Sequence, residues 1–204
     1  MLKSRIAVFV SGGGTNLQAL IDAQKEGIIQ SGEISLVIAN NSGAYAIQRA
    51  IDNHIPYAII LKKECGSQEA FEQKIKDTLA EYQIDMIVLA GFMSILSENF
   101  TSAYPRKILN VHPSLIPAFC GKGFYGLRVH EAALAYGVKV TGATVHYVNE
   151  VPDGGEIILQ KAVAIRENDT PETLQKRVMR LAEWKILPQA TELVAKRLAE
   201  EKQL

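Results

Sequence analysis

The chain reads as an α/β protein: a Rossmann-like, mostly parallel twisted sheet with helices on both faces and an antiparallel hairpin near the C-terminal end. Three observations predict it. Short segments such as "RIAVFV" and "MIVLAG" are apolar at every position, which suits strands covered on both faces. Amphipathic stretches alternate with them. After residue 137 the rhythm changes to two long extended segments joined by Pro-Asp-Gly-Gly.

Taken in order, "RIAVFV" is a strand and "NLQALIDAQKEG" a helix, followed by strand "ISLVIAN", helix "AYAIQRAIDNHI" and strand "YAIIL". In "SQEAFEQKIKDTLAEYQ", Phe71, Ile75, Leu79 and Tyr82 recur at spacings of three and four, so they share one helical face. "DMIVLAG" and "ILNVH" return to the sheet. "VKVTGATVHYVNEVPDGGEIILQKAVAI" supplies the hairpin. The remainder is helical, opened by Thr170 at an N-cap, Pro171 in the first turn and Glu172 behind it, and Pro188 is expected to kink or divide that helix. The 204 residues suit one domain, with no repeat or low-complexity linker.

Composition excludes several classes. Lys plus Arg equals Asp plus Glu at 22 each, so no basic surplus supports nucleic-acid binding. The apolar run after "MLKSR" is too short for a secretory segment, and no run nears the roughly 20 residues that span a bilayer. The expectation is a soluble cytoplasmic protein without membrane partners. Cys65 and Cys120 stand far apart without a CxxC and are expected to stay reduced.

"SGGGTN", Ser11 to Asn16, lies between the first strand and the first helix, where backbone N–H groups can receive an anion. A dinucleotide fingerprint fails, because Leu17 stands where its third glycine belongs and Asn40 and Asn41 where its acid belongs. Lysine of a Walker loop is also absent. A small phosphate monoester fits what remains, with Thr15 and Asn16 as side-chain donors; a tight turn capped by either residue is the alternative.

In an extended "LNVH", Asn110 and His112 share a face, and the carboxyl ends of parallel strands are where ligands bind. An amide donor beside an imidazole can stabilise a developing oxyanion and move a proton. Asp153 in "VPDGGEI" is the best carboxylate partner, and a carboxylate there is expected to raise the His112 pKa. On spacing alone, His112 also suits a loop cap and Asp153 a plain turn residue. His54 reads as surface, His130 and His146 as structural, and the four dispersed histidines lack the spacing of metal ligands, so no metal is expected.

Together "SGGGTN", "VLAGFMSIL", "ILNVHPSLIP", "GATVHYVNEVPDGG" and "AEWKILP" resemble the phosphoribosylglycinamide formyltransferases, purine-biosynthetic members of the folate-dependent formyltransferase family, from about Arg5 to Pro188. The resemblance implies the formyltransferase fold over 1–204, with 1–105 as the phosphate- and ribonucleotide-binding half and 106–204 as the catalytic and folate-binding half. It implies 10-formyltetrahydrofolate as formyl-donating cosubstrate, glycinamide ribonucleotide as acceptor, and a monomer or homodimer. Asn110, His112 and Asp153 would be catalytic. Gly14, Thr15, Asn16 and Glu183 would bind the ribonucleotide, with Glu183 near its glycyl amine. Gln68, Met93, Ser94, Ile95, Leu96 and Asn110 would bind the folate. Three positions depart from the pattern: Gln68 for an arginine, Cys120 for a proline and Trp184 for a histidine. A formyltetrahydrofolate deformylase and the methionyl-tRNA formyltransferase would share the core. The expected absence of a regulatory domain before the first strand, and of a basic domain after the last helix, separates them. A non-catalytic nucleotide-binding module is the remaining alternative.

Overall fold

A computed structural model describes residues 3–203. One seven-stranded sheet runs through it in the order β3-β2-β1-β4-β5-β6-β7. The strands are β1 (Ser4–Val10), β2 (Gly32–Ala39), β3 (Tyr57–Ile59), β4 (Met86–Leu89), β5 (Ile108–His112), β6 (Val140–Tyr147) and β7 (Ile157–Ala164). β1 to β5 pair in parallel, whereas β6 is antiparallel to both β5 and β7. The apolar runs and the PDGG hairpin therefore carried the fold class correctly.

Helices α1 (Thr15–Lys25), α2 (Ala46–Asp52), α7 (Pro171–Val178) and α8 (Trp184–Glu201) cover one face of the sheet. α4 (Gln68–Glu81) and the single turn α5 (Glu98–Thr101) cover the other. β1 shows why every position must be apolar. Its Ile6, Val8 and Val10 enter the first core, Ala7 and Phe9 the second, and all are fully buried. Phe71, Ile75 and Leu79 bury the α4 face as their spacing predicts, with Tyr82 half-buried at its C-cap. The short α3 (Lys62–Cys65) and the helix α6 (Leu127–Tyr136) have no counterpart among the sequence-based elements.

Thr170 caps α7 as expected: its side chain accepts from the Thr173 N–H, and Pro171 sits at the first helical position. Pro188 does not divide the last helix, since α8 runs through it. The discontinuity falls upstream, in a five-residue π turn over Met179–Glu183. Pro188 lacks the N–H that would reach back to Trp184, the residue where the wide π turn gives way to α geometry. The missing bond thus falls where the hydrogen-bond register already changes, and the chain stays helical.

Candidate active site

The order of strands reverses between β1 and β4, the switch point where open α/β sheets leave a crevice at their carboxyl ends. The loops after β1 and β4 meet there, the Met93 N–H donating to Ser11 Oγ at 2.8 Å. Asn40, at the end of β2, donates through Nδ2 to Ser94 Oγ at 2.8 Å.

Within the glycine loop, Gly14 is the N-cap of α1 with φ +70°, and neither Thr15 nor Asn16 provides a side-chain cap. A Cβ at Gly14 would lie 2.6 Å from the Ala46 Cβ, so the first turn of α2 and the left-handed backbone both demand glycine. A Cβ at Gly12 or Gly13 would meet open space, so the fold itself leaves the approach to that backbone clear. The Gly12, Gly13 and Gly14 N–H groups have no acceptor among the described residues, which is the condition for holding an anion.

Asn16 faces inward. Its Nδ2 donates to Glu183 Oε2 at 2.8 Å, while its Oδ1 is buried without a partner among the described residues. Glu183 is 6% exposed. Burial pushes its carboxyl up to about 7 against the opposing pull of the Asn16 bond. A buried acid with so little compensation is poised to take a cationic or hydrogen-bonding group beside it.

The far wall is built after β4. Ser94, Ile95 and Leu96 line a cleft of about 120 Å³ whose floor carries Asn110, His146 and Asp153, with Leu89, Phe92, Val148 and Val151 as apolar sides. Ser94, Ile95 and Leu96 also line an adjoining open cavity of about 520 Å³ with Lys62, Gln68 and Met93. Met93 and Gln68 thus border the outer cavity and not the inner cleft. Gln68 Nε2 donates to the Ile95 carbonyl at 3.1 Å, and the buried Glu72 accepts the Ser97 N–H at 2.6 Å. Together they fix the wall from α4.

Asn110 pairs with His146 and His112 with Thr144 across β5 and β6, so all four side chains share one face, as the period-two reading of "LNVH" required. Asp153 reaches them from the turn between β6 and β7, in a left-handed conformation with φ +57° that aspartate tolerates better than most residues. Gly155 is obligatory beside it, because a Cβ there would lie 1.7 Å from the Tyr147 carbonyl oxygen. The Asp153 Oδ2 accepts the Gly121 N–H at 2.8 Å and lies 3.4 Å from His112 Nδ1. Its Oδ1 accepts from Asn110 Nδ2 at 3.4 Å and lies 3.5 Å from His146 Nε2. His112 Nε2 faces the Phe119 carbonyl at 2.8 Å.

The Asp153 carboxylate raises the His112 pKa as expected, but the group still does not lie above its ordinary value. Burial pushes it below its ordinary value, more than the Asp153 carboxylate and the Phe119 carbonyl raise it. For Asp153 burial pushes upward, but the nearby His146 and His112 rings and the Gly121 N–H together hold the carboxyl below its usual range. The attraction acts on both partners; only on the more deeply buried histidine does desolvation win.

His146, read from the sequence as structural, lies beside Asn110 and Asp153. It is buried, its Nδ1 donates to the Tyr147 carbonyl at 2.8 Å, and its Nε2 then accepts from Asn110 Nδ2 at 3.2 Å. Its one available signal was position: like His112 it follows a valine at a strand's end. His54 is exposed and His130 buried outside these contacts, with both ring nitrogens unpartnered among the described residues. No group of three or more His, Cys, Asp or Glu side chains that could hold a metal ion occurs among the described residues, and no described helix is long and apolar enough to cross a membrane.

Comparison with known proteins accords with this arrangement. The formyl transferase family model matches residues 4–191. The human trifunctional purine biosynthetic protein adenosine-3 is 46% identical over 193 residues, covering 95% of this chain but 18% of that protein. The phosphoribosylglycinamide formyltransferase of Haemophilus influenzae is 42% identical over 90% of this chain and 84% of its own length. Among solved structures, the phosphoribosylglycinamide formyltransferase from Bacillus halodurans is 40% identical with TM-score 0.87, covering 95% of this chain and 97% of that one. Glycinamide ribonucleotide transformylase 1 from Symbiobacterium toebii has TM-score 0.89 at 39% identity, over 96% and 89% of the two chains. The chain spans less than a fifth of the trifunctional relatives it matches and most of the single-function bacterial ones. With its sheet order, its switch-point crevice and this family match in agreement, the chain belongs to the formyl transferase family.

Proposed function

We propose that this chain transfers the formyl group of 10-formyltetrahydrofolate to the amine of glycinamide ribonucleotide, a step of purine biosynthesis. The observation that carries the reading is one crevice joining two kinds of subsite. A row of free loop N–H groups and the buried Glu183 lie on one side, and an apolar cleft floored by Asn110, His146 and Asp153 on the other. A phosphate monoester fits the first, and a flat heterocycle with a polar edge fits the second.

In this reading the glycyl amine, placed by Glu183, attacks the formyl carbon. Asn110 Nδ2–H and His112 Nε2–H then hold the oxyanion of the tetrahedral adduct, exchanging their present partners for it. Asp153 keeps the imidazole oriented and favours its charged form as negative charge develops nearby. A proton passes from the amine to the departing N10 with Asp153 and solvent as carriers. The new N–C bond is already made in the adduct, and its collapse to the formamide breaks the N10–C bond, leaving tetrahydrofolate and the N-formyl product. No covalent enzyme intermediate is needed.

The test follows the absorbance change of folate deformylation with and without glycinamide ribonucleotide. Turnover that depends on the ribonucleotide is expected. Equal turnover without it would assign a deformylase instead, and no turnover with either would leave only binding.

A further inference from the structure

The glycine loop is shaped from behind by the second βα unit. Asn41 Nδ2 donates to the Ser11 carbonyl at 3.2 Å, the Ala46 N–H to the Gly12 carbonyl at 3.1 Å, and Arg49 Nε to the Gly13 carbonyl at 2.9 Å. All three donors lie between the end of β2 and the middle of α2. In a trans peptide the C=O of one residue and the N–H of the next point in opposite directions. Pulling the Ser11, Gly12 and Gly13 carbonyls toward α2 therefore turns the Gly12, Gly13 and Gly14 N–H groups to the other side. Those are the N–H groups without acceptors.

Arg49 differs from the other two donors because it brings charge. Its Nη1 donates to Gln18 Oε1 at 2.9 Å and its guanidinium lies 5.2 Å from the centre of the Tyr45 ring, so the group is held in place on three sides. No carboxylate pairs with it among the described residues. A fixed, uncompensated cation thus stands directly behind the loop. An anion on the loop's open side would feel both the aligned peptide dipoles and that charge.

We propose that Arg49 is the positioning residue of a phosphate cradle, holding the Gly13 peptide so that its N–H partner faces the ligand and supplying charge from behind. The inference rests on the proposed ribonucleotide reading for its substrate, but not for its ligand class, which is a phosphate monoester or inorganic phosphate.

Two variants test it. Arg49→Met keeps the length and packing of the stem and removes donors and charge; Arg49→Lys restores charge and one donor. With full turnover conditions, Arg49→Met is expected to raise KM for the ribonucleotide about 10- to 100-fold while leaving kcat and the folate KM within about twofold, and Arg49→Lys to recover part of the loss. In parallel, calorimetric titration of each protein with inorganic phosphate and with ribose 5-phosphate is expected to show the same loss and partial recovery. An unchanged ribonucleotide KM in Arg49→Met overturns the inference, and so do equal rises in both KM values, which would signal general loosening. If the wild type does not turn over the ribonucleotide, the functional reading fails and the phosphate titrations decide alone: weaker binding in Arg49→Met sustains the cradle, and equal or absent binding in both proteins refutes it.

Discussion

Replacing Asp153 by asparagine keeps the shape of the side chain but removes its charge and turns one of its two accepting oxygens into a donor. In the native arrangement the Oδ2 stands 3.4 Å from His112 Nδ1 and accepts the Gly121 N–H at 2.8 Å. At an effective dielectric of about 20, two unit charges at that separation interact by on the order of 5 kcal/mol. That figure is an upper bound, because the carboxylate keeps 13% of its side-chain surface and water screens part of the field. The expected consequence of Asp153→Asn is a fall in kcat of about 100- to 1000-fold, the scale of losing one oxyanion donor. Its pH profile supplies a sharper check. Burial already pushes the His112 pKa down and Asp153 is what chiefly opposes it. Without the carboxylate the pKa falls further, so the alkaline limb of kcat, where the imidazolium loses its proton, moves to lower pH. The assay is the ribonucleotide-dependent absorbance change across pH, with thermal unfolding as a control for folding. A kcat within about threefold of wild type, or an alkaline limb that stays in place, would refute the role given to this residue.

Glu183→Gln should separate stability from binding. The folded carboxyl is raised from 4.5 to about 7, so its contribution to stability is complete below the unfolded value and is lost as pH rises from about 4.5 through about 7. The span corresponds to on the order of 3 kcal/mol, so the free variant should unfold at a higher temperature than wild type at pH 8 and bind the ribonucleotide more weakly; a lower Tm there would contradict the burial argument. Phe71→Ala removes a fully buried ring from the second core and should cost about 3 to 5 kcal/mol in urea unfolding, and a loss near zero would mean the face it shares with Ile75 and Leu79 is not packed. Gly14→Ala forces a Cβ against Ala46 at a left-handed residue and should abolish ribonucleotide turnover while lowering Tm by several degrees; retained affinity would show that the loop can rearrange.

Much of the site was legible because its chemistry is local in sequence. Asn110 and His112 are two residues apart on one strand, and a strand has period two, so their common face needed no tertiary information. The loop of glycines after β1 could be placed at the sheet's carboxyl edge for a similar reason. His146 could not be recognised in this way, since its place beside Asn110 depends on the register between β5 and β6, and those strands are separated by the loop and helix over residues 113–139. The buried Glu72, which holds the wall through Ser97, and Arg49, which holds the Gly13 carbonyl, were silent for the same cause: each acts on a backbone segment far from it in the chain.

By itself the sequence determined the alternation of buried strands with one-faced helices, the hairpin at its end and the residue types gathered at strand termini. Periodicity and turn chemistry act over a few residues, and those are readable in one dimension. Only the tertiary structure decided that α8 passes unbroken through Pro188, that His146 joins Asn110 and Asp153, and that His112 lies below its ordinary pKa and not above it. Each of these depends on what surrounds a group in space: a register change one turn upstream, a neighbouring strand, and a desolvation penalty larger than the attraction of one carboxylate.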